Sequence, residues 1–273
     1  MLIRKTLPIF IAAALVGAAS NANAMSIKGD FSSSCNVELD GNLKISNQIL
    51  TVSTDRNNTI EIDKHYTVKV NGEAQSLSAD QQRWVENYYD GFQTLVPEIA
   101  SIAADGISIA SEAIDTAFSE ILGQDSEFIT DLTGKMNELG DRVQSNFYAA
   151  DGSIQLDSNA FQDGDFIDAA WDEEFDQAVD DAISSSMGHL MMALGKQLIV
   201  NGADIDAFTA KMERFAEDIE RDVEAKAERL EARADALCYT LQRIDDAENS
   251  LQQSSNALSA LNVVNVVQSE DAM

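Results

Sequence analysis

The hydropathy pattern changes period once, at Ser78, and this change limits the chain to a fold with strands first and helices after. From Asn36 to Leu77 apolar residues alternate with polar ones: Val37 and Leu39, Leu43 and Ile45, Leu50 and Val52, Ile60 and Ile62, Val68 and Val70. Period two is the mark of half-buried strands. Asp40-Gly41 and Asn71-Gly72 punctuate the run, and both dipeptides suit hairpins whose central residues take positive φ. The spacing predicts an antiparallel meander of about five strands.

Ser78-Ala79-Asp80-Gln81 then forms a capping box, in which serine and glutamine side chains satisfy each other's unpaired amides. Behind it Trp84, Tyr88, Phe92, Leu95, Ile99 and Ile102 recur at three and four, giving one apolar stripe. Pro97 lies inside that stripe and predicts a kink or break near Val96, with a second helix from Glu98 to Leu122. A third helix is expected over about 126–145. A loop or short hairpin follows, with strand positions at Ile154 and Leu156, and a fourth helix over 165–199. The last long helix runs from about Asp204 to Leu261, with a coiled-coil-like seam through Phe208, Met212, Phe215, Ile219, Val223, Leu230, Leu237, Leu241 and Ile244. The fold class is α+β, mainly α, a small meander packed on a long-helix body. The expected divisions are a leader over 1–24, the meander over 25–77, the helical region over 78–267 and a flexible acidic tail over 268–273.

The leader has Arg4 and Lys5, an apolar stretch from Leu7 to Ala19 and Ala22-Asn23-Ala24 before the expected cut. This is the pattern of an export signal cleaved after Ala24, and no membrane-spanning segment is expected in the chain that remains. The whole sequence has 47 acidic residues against 18 basic ones, and the leader holds two of the bases and none of the acids. So acidic a surface excludes nucleic acid as a partner, because every phosphate contact would be made against the field. It suits solubility, or attraction of cations and basic partners. Cys35 and Cys238 are the two cysteines. In an oxidising compartment a disulfide between them is the expectation, and two buried thiols are the alternative.

Cys35-Asn36-Val37-Glu38-Leu39, Val68-Lys69-Val70-Asn71-Gly72 and Leu77-Ser78-Ala79-Asp80-Gln81-Gln82, behind a leader, together resemble the YggN-like family of exported, periplasmic proteins of Gram-negative bacteria. The resemblance implies a location and an overall plan. The family's function is unknown, so no catalytic or binding residues come with it.

Two clusters could hold metal. Met187, Met191 and His189 offer thioethers and imidazole suited to monovalent copper. Methionines at that spacing also serve as core filler, and His189 sits well round the helix from the other two. Asp168, Asp172 and Asp176 lie one helical turn apart and offer hard oxygens to a divalent cation such as calcium; a solvated helix face has the same pattern. His65 and His189 are the only histidines, and neither sits in a catalytic or zinc motif. No catalytic residue and no cofactor is assigned. The sequence favours a non-catalytic exported binding or structural factor acting through its helical surface on an envelope protein. A divalent-cation or copper-binding protein is the alternative, and an enzyme of unrecognised class the third reading.

Overall fold

The computed structural model describes residues 26–32, 35–54, 58–122, 127–158 and 205–268, together with the helical residue Gln177. Nine strands and three long helices are assigned among them: β1 (Ser26–Ser32), β2 (Cys35–Asp40), β3 (Asn42–Ser46), β4 (Ile49–Ser53), β5 (Thr59–Asp63), β6 (Val68–Val70), β7 (Glu73–Ala74), α1 (Ala79–Leu122), α2 (Glu127–Phe147), β8 (Leu156–Asp157), α3 (Ile205–Ser254) and β9 (Val264–Gln268). The chain is α+β and mainly α. It divides into two compact units, one made of Met1–Gln93, Asp157–Gln162 and Asp235–Met273, the other of Thr94–Leu156 and Asp163–Ala234. The leader, the aspartates at 168, 172 and 176, and the cluster at 187, 189 and 191 lie outside the described residues.

The first unit is built on the period-two pattern. Strands β3 to β7 pair antiparallel in chain order, and β8 adds to the β3 edge. Leu43 lies opposite Val52, Ile45 opposite Leu50, Leu50 opposite Ile62 and Val52 opposite Ile60. All of these are at most 2 % exposed, as is Val68, so alternate residues of four strands form one apolar face. Each such side chain contributes roughly 1.5–3 kcal/mol on leaving water. The turns fit this register. Asn71 (φ 51°) and Gly72 (φ 84°) make the β6–β7 hairpin, and Asn47 (φ 52°) and Gln48 (φ 61°) make the β3–β4 hairpin without any glycine. At the β3 edge the Leu43 amide donates to the buried Ser158 Oγ at 2.9 Å, and Lys44 pairs with Asp157 at 2.9 Å.

Asp40-Gly41 has a different role from the hairpin the dipeptide suggests. Strands β2 and β3 on its two sides belong to different sheets, because β2 pairs with β1 and β9 in a separate three-stranded sheet ordered β1-β2-β9. Gly41 has φ 102°, and a β-carbon there would stand 2.7 Å from the Ser53 carbonyl oxygen, so this corner between sheets accepts only glycine. Strands β1 and β9 are additions to the expected meander. The final helix ends at Ser254, before the expected Leu261, and the chain returns as β9 through Val264, Val266 and Val267, which are β-branched and poor helix formers.

The capping box forms as expected: the Ser78 amide donates to Gln81 Oε1 at 2.8 Å, and the Gln81 amide donates to Ser78 Oγ at 3.3 Å. Gln81 Nε2 also donates to the Ser254 carbonyl oxygen at 3.1 Å, tying the start of α1 to the end of α3. In the same unit Gly91 of α1 lies against Ile244 of α3, so close that a β-carbon at 91 would reach Ile244 Cγ1 at 2.5 Å. Pro97 does not end the helix. One α-helix of 44 residues runs through it from Ala79 to Leu122, and a mid-helix proline costs about 3 kcal/mol in isolation. Burial of Phe92, Leu95, Val96 and Ala100 around it offsets that cost.

In the second unit α2 covers the expected third helix and buries Ile129, Leu132, Met136, Val143 and Phe147 along one face. A bridge from Tyr148 to Ile154 closes the turn behind it, and Leu156 starts β8. Arg233 of α3 reaches Glu98 at 3.2 Å, Ser101 Oγ at 2.8 Å and Asp105, all on α1. Lys226 reaches Glu112 of α1 and, at 2.9 Å, Asp222. These exposed pairs fix register more than they stabilise.

Leu50→Ala, at a fully buried position, is expected to cost about 2–5 kcal/mol, and Gly41→Ala about 1–3 kcal/mol from backbone strain alone. Gly140→Ala, where a β-carbon meets nothing within 4 Å in α2, is expected to gain about 1 kcal/mol. Urea unfolding midpoints of the three variants check the order.

Candidate functional site

The seam of α3 contains one residue of the wrong type. Ile244 and Leu251 are both fully buried, and Glu248 sits between them at spacings of four and three, itself only 1 % exposed. An ionisable side chain on an apolar seam requires partners. Glu248 Oε1 accepts the Val263 amide and, at 3.2 Å, the Val264 amide. Glu248 Oε2 and the Tyr88 hydroxyl of α1 are both buried and have no hydrogen-bond partner among the described residues, and Tyr88 is close enough to the Glu248 carboxyl to interact with it. One turn earlier, Asp245 Oδ2 accepts the Val266 amide at 3.3 Å while its Oδ1 takes the Asn249 side-chain amide at 2.7 Å.

These carboxyls complete a sheet. In the β1-β2-β9 order β9 is an edge strand, paired to β2 through Leu39 with Val264, Val37 with Val266 and Cys35 with Gln268. Its outward amides at 264 and 266 have no strand to bond, and Glu248 and Asp245 receive them. An edge that would otherwise present bare donors is thereby closed by side chains of α3.

Burial is the largest influence on Glu248 and pushes its carboxyl from the usual 4.5 up to about 7; Asp245 adds repulsion, while the Tyr88 hydroxyl and the two amides oppose the rise. Burial also raises Asp245. Tyr88 is raised well above the ordinary phenol, first by burial and then by the Glu248 charge. Around neutrality Glu248 is therefore a proton-exchanging group held under a strand. The protonated carboxyl keeps Oε1 for the two amides.

Of the residues singled out in the sequence, Cys238 is buried on α3, and no cysteine among the described residues is free. His65 stands in the exposed β5–β6 turn, where its amide donates to Asp63 Oδ1 at 2.8 Å. Among the described residues no three His, Cys, Asp or Glu side chains gather to hold a metal, and no helix is long and apolar enough to cross a membrane. A groove in the first unit is lined by Trp84, Asn87, Arg243, Asp246, Ala247 and Ser250, and both of its charged members are exposed. Sequence reasoning missed Glu248 and Asp245. The available signal was the acidic residue at a seam position between Ile244 and Leu251.

The sign of the pH dependence follows from proton counting. Between about pH 4.5 and 7 the folded chain holds the Glu248 proton and the unfolded chain does not, so this contribution is complete below that window and lost as pH rises through it. Its size is on the order of 3 kcal/mol. Glu248→Gln, which mimics the protonated group, is expected to be nearly neutral at acid pH and stabilising at about pH 8. Melting temperatures of wild type and variant across the window check this.

No curated protein and no solved structure matches the chain. A family profile does match, over residues 35–264, and spans β2 to β8, all three long helices and the first residue of β9. The chain belongs to the family described as protein of unknown function (DUF2884).

Proposed function

We propose that this protein is an exported, periplasmic, non-catalytic binding or structural factor of the YggN-like type, acting through its helical surface on an envelope protein. The observation that carries the reading is a difference in burial. The seam of α3 is closed at Leu237, Leu241, Ile244 and Leu251. From Glu213 to Ala234 no residue of α3 is buried, and Phe215, Ile219, Val223 and Leu230 are left half-exposed. From Ser101 to Ser119 no residue of α1 is buried either, although Ile102, Ile107, Ile109, Ile114 and Phe118 carry its apolar stripe. Apolar helical surface of this kind, left partly in water, supports a partner-binding role. Around the α3 stripe exposed Glu213, Glu217, Asp218, Glu220, Asp222, Glu224, Glu228 and Glu231 outnumber exposed Arg214, Arg221 and Arg229, so the partner it suits presents apolar side chains in a basic setting.

Ile219→Glu and Val223→Glu keep the helix and destroy the stripe. Cross-linking in intact cells, followed by capture of the tagged protein, should yield one stoichiometric envelope protein that both variants lose while melting as the wild type does. The same captured set from wild type and variants would contradict the reading.

Export and the Cys35–Cys238 disulfide belong to the same proposal. The leader supports the first. The burial of Cys238, with no free cysteine among the described residues, supports the second. The protein recovered from the periplasmic fraction should begin at Met25 and, without reduction, weigh less than its reduced form by two hydrogens. A chain retaining its leader in the cytoplasm, or two thiols open to alkylation in the unfolded, unreduced protein, would overturn these points.

A further inference from the structure

The contacts of β9 are divided between two supports of different chemistry. One is the β2 ladder, backbone on backbone, and the other is the pair of α3 carboxyls that receive the outward amides. The second support depends on a proton. Glu248 is enclosed by Tyr88 from α1, by its own helix and by the Val263-Val264 segment above it. That segment brings only backbone amides, and Val264–Gln268 contains no ionisable side chain. Among the described residues the titratable groups facing Glu248 are therefore Tyr88 and Asp245, and neither supplies a positive charge to an ionised carboxylate.

We propose that β9 is a latch: protonated Glu248 holds residues 262–268 against α3, and ionisation of Glu248 releases them. An ionised carboxylate in this position has no cation and is shut off from water by the segment above it. Lifting 262–268 removes that cover and hydrates the charge, so proton loss and opening favour each other. Release also bares the edge of β2 from Cys35 to Leu39 that pairs with β9, while the other edge stays paired with β1. With the Glu248 carboxyl raised to about 7 in the closed state, the weakening of the latch runs up to neutrality and levels off above it.

Hydrogen exchange of the whole protein, read by mass spectrometry on peptides covering 262–268 and corrected for intrinsic rate, tests the latch. With a carboxyl near 7 in the closed state and 4.5 in the open one, protection should fall roughly thirty-fold from about pH 5.5 to about pH 8. In Glu248→Gln protection should stay level. Should that variant fail to fold, Tyr88→Phe serves instead: loss of the hydroxyl that favours the ionised form should move the midpoint to higher pH. Wild-type protection that is level across this range overturns the proposal, as does an equal fall in Glu248→Gln or, where that variant does not fold, an unmoved midpoint in Tyr88→Phe.

Discussion

A carboxyl enclosed where the helical seam meets the last strand holds the first unit together. Glu248 takes the place of a seam leucine, and in that place it touches α1 through Tyr88 and the entry to β9 through two amides. The packing around it, Ile244, Leu251, Leu258, Leu261, Val263 and Val264, is almost wholly shut off from water. An apolar residue at 248 would fill the space but leave the outward edge of β9 without acceptors at Val263 and Val264. Burying an acid therefore trades desolvation against edge closure, and the trade holds while the acid keeps its proton.

The same arrangement explains how a helical protein retains a three-stranded sheet made from distant parts of the chain. Strand β2 opens the family-matched region and β9 lies at its end, so the sheet joins the two ends of residues 35–264. Strand β9 is five residues long, short enough that ladder bonds alone would leave it prone to fraying. The α3 carboxyls and the apolar turn through Leu258 and Leu261 supply the rest of its hold. The second unit follows a different principle. There α2 buries an apolar face, while residues 101–119 of α1 and 213–234 of α3 include no buried residue and are joined by the Arg233 and Lys226 ion pairs.

Much of this was legible from residue order, because the signals were local. Alternation placed β2 to β6, serine and glutamine three apart fixed the start of α1, and the apolar spacing of 128–143 fixed α2. What was not legible depended on distant contacts. Nothing in Val264 to Gln268 says which strand it joins, and a short β-branched run after a helix reads equally as a frayed tail. Asp40-Gly41 has hairpin chemistry, yet its neighbours pair elsewhere, because the β2 partners lie upstream in β1 and more than 200 residues downstream in β9. Pro97 predicts a kink or break on local grounds, and the break is overridden by burial on both sides of it. Glu248 was hidden because an acid on a long acidic helix looks like surface, and only its position between Ile244 and Leu251 separates it from its neighbours.

The central claim is that Glu248 keeps its proton near neutrality while the chain stays folded. Carbon-13 NMR of the glutamate side-chain carboxyls, with the Glu248 signal assigned by its loss in Glu248→Gln, measures this directly. The account predicts a midpoint at about 7, with the Val263 and Val264 amide signals moving on the same curve. A midpoint near the ordinary 4.5, with those amides indifferent to it, would contradict the account.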